Sequence, residues 1–525
     1  MLDLLDNVSA SNLKDYLIEL QQFRTRNTAS DTLVTGSGIG AAREWAYEKF
    51  ESFNQDNGGR LVVSFLQFDQ VVCGLDQHKN ITAILPGVGE EHEELVVIEG
   101  HLDSRCGVLC DIDCVAHGME DNASGSGLVL ELARVMSHYT FDRTILFMLT
   151  IGEEQGLVGA AAMATYCEDN EVPVHAVFNN DVIGGVLCGE TASPPGCPSL
   201  NHIDSINVRL YSRGTFNSRS KGLARFTKLE YHENLRDLML VQPIINIMSA
   251  EDRTGRGGDH IPFRQAGYSA IRFTSANEHG DAGIHAGYTD RQHTSDDILG
   301  IDTDNDAVID SFFVDFNYLQ RNALLNANAA AMAAAGPAIP VLLSVEPSSE
   351  GFTVSMEDPT DQGLYRIGVR TVTNDFDTVF TVTDKLATVS GVFEQDVRYF
   401  FSVASVDDQG IESLFSNELG SNLLTSVIDL EIRSQVELLQ NRPNPFDDRT
   451  SISVWVEETF PYKTAQIEVI KPFGTVLYTS DIRLDKGMNE IWYDHKYHHF
   501  SQGLLYYRLM IDGKHVETRS MVHAY

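Results

Sequence analysis

The chain has 525 residues, 43% of them hydrophobic, and 75 acidic against 38 basic residues leave a formal net charge of −37 at pH 7. That length predicts about three or four domains with sizeable cores, while the acidic balance repels nucleic acid and anionic membranes, so neither is expected as a partner. No apolar run of about 18 residues is present to span a bilayer, and the opening MLDLLDNVSASNLKDYL has no basic stretch leading into an apolar core, so no signal peptide is read in this chain.

From residue 1 to about 335, apolar strand-like runs alternate with longer helical patterns, which predicts an α/β layer fold. The predicted strands are RLVVSFLQF, NITAILPG, EELVVIEG, RTILFMLTI, VHAVFNND and SAIRFTS. Between them, SGSGLVLELARVMSHY and GLVGAAAMATYCED carry apolar residues at helical spacing and begin beside glycine or serine. A mostly parallel mixed sheet covered by helices is the expected arrangement.

Seven cysteines (Cys73, Cys106, Cys110, Cys114, Cys167, Cys188 and Cys197) all fall in the first 200 residues, and their odd number leaves at least one unpaired within the chain. The four-residue spacing of Cys106, Cys110 and Cys114 admits a thiolate metal site. No fourth ligand is evident, however, and disulfide pairing in an exported protein accounts for them with fewer assumptions. Cys188 and Cys197 bracket the turn-rich GETASPPG, which fits a local bridge.

The acids of DTDNDAVID, Asp302 to Asp310, are spaced like a calcium loop but lack its sixth-position glycine and closing glutamate, so they read as a solvated helix start. A helix from about Asp310 through NANAAAMAAAG is stopped by PAIP, which sets a domain boundary near residue 335. Residues 338–425 then alternate apolar and polar positions between turn signals, as in a small β-sandwich. The segment YFFSVASVDDQGIESLFSNE resembles a fibronectin type III domain, which implies a spacing or binding role.

Residues 430–525 open on NRPNPF and close on GLLYYRLMIDGKHVETRSMV. Together these resemble the type IX secretion C-terminal sorting domain, a second all-β sandwich. That resemblance implies export through the periplasm by the type IX secretion machinery, so the chain is expected to be secreted or held at the cell surface. His495, His498 and His499 in DHKYHHF read as exposed hairpin residues rather than a metal cluster.

Six side chains of the first 335 residues suggest chemistry. His101 lies in VVIEGHLDS, Asp121 in MEDNASGSG, Glu153 and Glu154 in LFMLTIGEEQG, Asp181 in AVFNNDVIG and His293 in RQHTSDDI. Several follow predicted strands at their C-terminal ends, where open α/β sheets bind ligands. A hydrolytic pair of zinc ions, about 3.5 to 4 Å apart, needs one bridging carboxylate and terminal ligands that leave room for water and substrate. Asp121 fits the bridge, His101 and Asp181 complete one ion, and Glu154 and His293 complete the other. Neighbouring residues at a strand end point in different directions, so Glu153 stays unligated as the general base toward a metal-activated water. Asp103 faces the same side as His101 and is placed to hold its imidazole in the ligating tautomer.

The motifs GHLDS, DNASGSG, EEQGLVGA, NND, GGDHIPFRQAGYSAI and QHTSDD, in that order over residues 10 to 330, resemble the zinc-dependent aminopeptidase family that includes bacterial leucyl aminopeptidases, glutamate carboxypeptidase and glutaminyl cyclases. The resemblance implies a three-layer α/β/α phosphorylase/hydrolase-like sandwich and the same ligand roles. It also puts Asp259 and His260 in the active-site wall. Secreted aminopeptidases of this kind carry a tyrosine shortly before GGDH that stabilises the oxyanion, whereas EDRTGRGGDH has none. Arg253 or Arg256 can donate hydrogen bonds there instead.

The expected protein is therefore a secreted two-zinc exopeptidase, an aminopeptidase acting on peptide substrates, with a catalytic domain over 1–335. A carboxypeptidase or dipeptidase, with the RTGRGG arginines on a substrate carboxylate, is the nearest alternative. Glutaminyl cyclase and a non-catalytic surface protein follow it.

Overall fold

A computed structural model describes residues 2–524 apart from 34–35, 190–193, 254, 279–290, 305, 307, 349, 392, 395–396, 423–434, 472–475 and 495–502. The chain divides into two compact units, Met1–Gly391 with Arg398–Ser421, and Val392–Val397 with Asn422–Tyr525.

The first unit is built on a mixed, mostly parallel eight-stranded sheet. Its strands are β1 (Val62–Val72), β2 (Leu75–Leu85), β3 (Leu95–His101), β4 (Thr144–Thr150), β5 (Val174–Asn180), β6 (Asn207–Tyr211), β7 (Ile244–Ile247) and β8 (Ala270–Ser275), in the spatial order β1-β2-β4-β3-β5-β8-β6-β7. The central run β4-β3-β5-β8 is parallel throughout, and β1 and β2 add antiparallel strands at one edge.

Helices α1 (Leu2–Asp6), α2 (Ala10–Gln21), α3 (Gly38–Asp56), α4 (Ser124–Met136), α5 (Val158–Asp169), α6 (Arg219–Glu230), α7 (His260–Gln265) and α8 (Phe316–Ala335) cover it. The two-residue period of a strand sorts the core. Val96 and Ile98 of β3 pack with residues of α2, α3, α4, α6 and α8, whereas Val97 packs on the other face with Ala160 and Met163 of α5 and Phe263 of α7. Each large side chain so buried contributes about 1.5–3 kcal/mol.

Two strands of this sheet, β6 and β7, lie outside the predicted set. β6 carries Arg209 in its middle, fully buried and donating to the carbonyls of Pro195 and Glu278, so its apolar pattern is interrupted. β7 has only four residues. The last helix of this domain also begins later than expected. Residues Ser311–Phe312 (β10) pair with Gly300–Ile301 (β9), and α8 starts only after Asp315, whose side chain accepts from the Tyr318 amide. The acids of 302–310 are therefore not a helix start.

Strands β11 (Val341–Ser348), β12 (Gly351–Glu357), β13 (Tyr365–Arg370), β14 (Thr378–Val382), β15 (Leu386–Ser390), β16 (Arg398–Ser405) and β17 (Leu419–Asn422) form a three-stranded and a four-stranded sheet, β11-β12-β15 and β14-β13-β16-β17. This layer is not a loose appendage. Ala404, Leu414 and Phe415 belong to the same core as α4 and α8, and buried Glu418 lies 2.9 Å from Arg225 of α6 and 2.6 Å from Arg370 of β13.

Among the described residues, the second unit has its own seven strands, β18 (Val436–Leu438), β19 (Arg449–Val456), β20 (Ala465–Ile470), β21 (Val476–Asp481), β22 (Gly487–Asp494), β23 (Gly503–Ile511) and β24 (Lys514–His523). They make the sheets β18-β19-β22 and β21-β20-β23-β24 around Ile452, Val454, Ile467, Tyr507 and Leu509.

Disulfides join Cys73 to Cys110, Cys106 to Cys114 and Cys188 to Cys197, and Cys167 is a buried free thiol. The three closely spaced cysteines are thus consumed by bridges, leaving no thiolate cluster there.

Candidate metal centre

The parallel strands deliver their ends to one edge of the sheet. His101 is the last residue of β3, Glu153 and Glu154 follow β4 after a short turn, and Asp181 follows β5 directly. Asp121 arrives from the turn Met119–Ala123 in front of α4. That turn is held by Asp297, whose carboxylate accepts from the amides of Glu120 at 2.8 Å and Asp121 at 3.1 Å. Gly125 lets α4 enter this closely, because a Cβ there would run into the carbonyl oxygen of Asn180. His293 comes from the same 291–299 segment as Asp297, in a left-handed backbone conformation with φ of 58°.

Two triads result, and they share one residue. His101 Nε2 lies 3.1 Å from Asp121 Oδ1 and 3.4 Å from Asp181 Oδ1. On the other side, His293 Nε2 lies 3.0 Å from Asp121 Oδ2 and 3.2 Å from Glu154 Oε2. Within each triad the donor atoms sit within 4.8 Å of one another, and all five side chains are buried. Asp121 turns one oxygen to each triad, the geometry a bridging carboxylate requires.

The electrostatics call for cations. Burial alone would lower the His101 imidazole, but Asp181, Glu153, Asp103 and Asp121 outweigh it and raise its pKa well above the ordinary histidine value. Conversely, burial disfavours the Asp121 carboxylate, yet hydrogen bonds from His101 and His293 hold its pKa far below normal. Glu154 Oε1 is buried with no hydrogen-bond partner. Imidazole and carboxylate donors in excess negative charge, with an unsatisfied oxygen among them, fit a pair of zinc ions.

Asp103 acts here through two different groups. Its carbonyl faces His101 Nδ1 at 3.0 Å and accepts the ring N–H, which leaves Nε2 as the ring nitrogen turned toward the triad. The Asp103 carboxylate accepts from the amides of Glu153 and Glu154, each at 3.3 Å, and from the Thr28 hydroxyl at 3.1 Å, fixing the turn that carries both glutamates. Tautomer control therefore lies with the Asp103 main chain, while its side chain is 3.6 Å from the ring.

Glu153 is partly exposed to a cavity of about 270 Å³ that is also lined by Asp121, Glu154, Asp181, His293, Leu157, Arg105, Arg253, Arg256, Arg272 and Glu278. Burial, with Asp181, Glu154 and Asp259 nearby, outweighs the effect of His101 and raises the Glu153 pKa well above the usual carboxylate value.

The four residues expected in the wall separate into two groups. Arg253 and Arg256 line the cavity, although Arg253 is committed to Asp252 at 3.0 Å and to Glu278. Asp259 and His260 do not reach it. Both are fully buried one layer behind, Asp259 accepting from the Thr150 hydroxyl and His260 Nε2 facing the Glu251 carbonyl at 3.0 Å. Burial pushes the Asp259 carboxyl up to about 7. Their place under the wall, where α7 begins, makes them supports rather than substrate contacts.

Several site residues escape sequence reasoning. Arg272 of β8 lies 3.1 Å from Asp181 Oδ2 and 2.9 Å from Asp252, and its Nε donates to the Asp181 carbonyl at 2.6 Å. An arginine inside the apolar AIRFTS was the available signal. Others are Arg105, directly after GHLDS, and Asp297, the last residue of QHTSDD. Elsewhere, Asp302, Asp304 and Asp306 bring carboxylates together at the surface, and His495, His498 and His499 lie outside the described residues.

Residues 80–188, which hold four of the five candidate ligands and Glu153, match the model of peptidase family M28. The chain is similar to a protein of Leptosphaeria maculans described as a probable zinc metalloprotease, 32% identical over 337 residues that make up 62% of this chain and 74% of that protein. A probable zinc metalloprotease of Pyricularia oryzae is 32% identical over 341 residues, covering 62% of this chain and 64% of the relative. Among solved structures, the LapA aminopeptidase of Legionella pneumophila aligns over 64% of this chain and 73% of its own, at 18% identity and a TM-score of 0.45.

Proposed function

The chain belongs to peptidase family M28, and from that premise we propose that it is an exported two-zinc exopeptidase that removes N-terminal residues from peptides. The observation that carries the reading is the pair of buried triads sharing Asp121, with Glu153 on the same cavity. His101, Asp121 and Asp181 would hold one ion, and Asp121, Glu154 and His293 the other. Zinc held there would polarise the scissile carbonyl and lower the pKa of the attacking water toward about 7.

The chain's own groups do the rest. Glu153, whose raised pKa suits it to accept and keep a proton, takes one from the water and passes it to the leaving amine. Asp103 keeps the glutamate turn and the His101 tautomer in place. A cavity of about 270 Å³ falls just below the usual range of ligand pockets, about 300–1,000 Å³, which suits the end of a peptide better than its middle.

Export is supported by three disulfides, which persist in oxidising compartments. It is also supported by the NRPNPF opening and hairpin ending of the last domain, which we assign to type IX sorting. The described residues of 341–422 form seven strands, the strand count of a fibronectin type III module, and we assign the layer that kinship.

Metal analysis together with hydrolysis of N-blocked and C-blocked peptides tests the proposal. Two zinc ions per chain and cleavage of only free-amine peptides are expected; fewer than one ion, or full activity in Glu153→Ala, would overturn it. Dependence on a free C-terminal carboxylate would instead favour a carboxypeptidase or dipeptidase, the reading that Arg253 and Arg256 on the cavity wall support.

A further inference from the structure

The two triads differ in what leans on them. Beside the first, Arg272 takes the outer oxygen of Asp181, Oδ2, and is itself held by Asp252 and Glu278, so Oδ1 still faces His101. Beside the second, Arg105 reaches inside. Its Nε donates to Glu154 Oε2 at 2.7 Å, the same oxygen that faces His293. Its Nη2 lies 2.9 Å from His293 Nδ1.

The second contact decides the tautomer. A guanidinium N–H can only donate, so His293 Nδ1 must carry the lone pair and Nε2 the proton. A metal ligand at Nε2 needs the opposite arrangement, the one that His101 adopts by donating from Nδ1 to the Asp103 carbonyl. One neutral imidazole cannot serve both partners. His101 is therefore set for an ion, and His293 is set for Arg105.

We propose that Arg105 competes with the second metal ion, its guanidinium neutralising Glu154 and holding His293 until an ion displaces it, so that the His101 site fills first and the His293 site fills more weakly. The proposal rests on the two-zinc reading above. The tether is local: Arg105 precedes Cys106, which is bridged to Cys114, while Cys110 is bridged to Cys73, and Nη1 donates to the Cys106 carbonyl at 3.1 Å. The competing cation is thereby kept beside the site, with its side chain only 12% exposed.

The full chain, stripped of metal, is titrated with zinc against a chromophoric chelator, as wild type and as Arg105→Met. The wild type is expected to take up two ions in separate steps, the second about ten-fold weaker or more, the scale on which groups behind metal ligands act. Arg105→Met should tighten the second step and leave the first unchanged, and Arg105→Lys, which keeps the charge but not the fork, should fall between. An unchanged or weakened second step in Arg105→Met would overturn the proposal, the latter by making Arg105 an organiser of the site. A chain that binds less than one ion in every form would instead sink the two-zinc reading itself. Thermal unfolding of each variant separates loss of the site from loss of the fold.

Discussion

Arg272 grips Asp181 at both ends, with Nη2 3.1 Å from the carboxylate and Nε donating to the carbonyl at 2.6 Å. One buried strand residue thus sets the position of a candidate ligand at the end of the neighbouring strand. Arg272→Met would leave Asp181 without its guanidinium inside the protein, and Asp252 and Glu278 with Arg253 alone. Breaking such a buried pair costs about 3–5 kcal/mol, so chemical denaturation should show a loss of that size, with weakened zinc uptake at the His101 site.

Asp121 faces both imidazoles, through different oxygens at 3.1 and 3.0 Å. Asp121→Asn keeps its shape but loses the charge that suits it to two cations. Zinc content measured by atomic absorption should fall from two ions to fewer than one per chain, whereas Glu154→Ala should cost only one.

Glu153 lies on the cavity but in neither triad. Glu153→Gln should retain both ions and a nearly unchanged KM, with kcat lower by about 10²–10⁴, the usual contribution of a positioned acid–base group. A parallel loss of zinc would show that the residue is a ligand instead.

Glu418 joins the β-sandwich layer to the α/β layer by accepting from Arg225 and Arg370. All three side chains are buried, so Glu418→Gln removes the carboxylate that Arg370 and Arg225 share and leaves Arg225 only the field of Asp375. A loss of about 3–5 kcal/mol is expected. Truncation after residue 335 should give an insoluble product, because Leu414 and Phe415 complete the core.

The same interface carries a pH dependence. Burial pushes the carboxyl of Glu230 up to about 7 and that of Glu412 up to about 8, with Arg366 opposing the rise and Glu233 adding to it. A carboxyl raised in the folded state is fully accommodated below its unfolded pKa, and its stabilising contribution is lost as pH rises through the folded value. The thermal midpoint should therefore fall between about pH 5 and 8, and Glu412→Gln should flatten that fall.

Much of the candidate site was legible because several of its residues sit at strand ends, where a local apolar run announces its own termination. β3, β4 and β5 were read from their runs, and with them His101, Glu153, Glu154 and Asp181 were placed at one edge. The start of α8 was misplaced because a two-residue strand pair, Gly300–Ile301 with Ser311–Phe312, leaves no periodic trace. Asp259 and His260 were set in the wall because sequence shows adjacency to a motif but not depth, and depth puts them one layer back.

By itself the sequence determined the layered α/β architecture, the all-β strands after it and the imidazole and carboxylate residues at the strand ends, since hydrophobic period, turn residues and strand ends are local properties of the chain. Only the tertiary structure decided which cation answers which anion. Arg272 on β8 meets Asp181, just past β5, across 91 residues, and Arg105 meets His293 across 188. Such pairings depend on burial and distance in a low-dielectric interior, where a charge is stabilised by whichever partner the fold brings within reach.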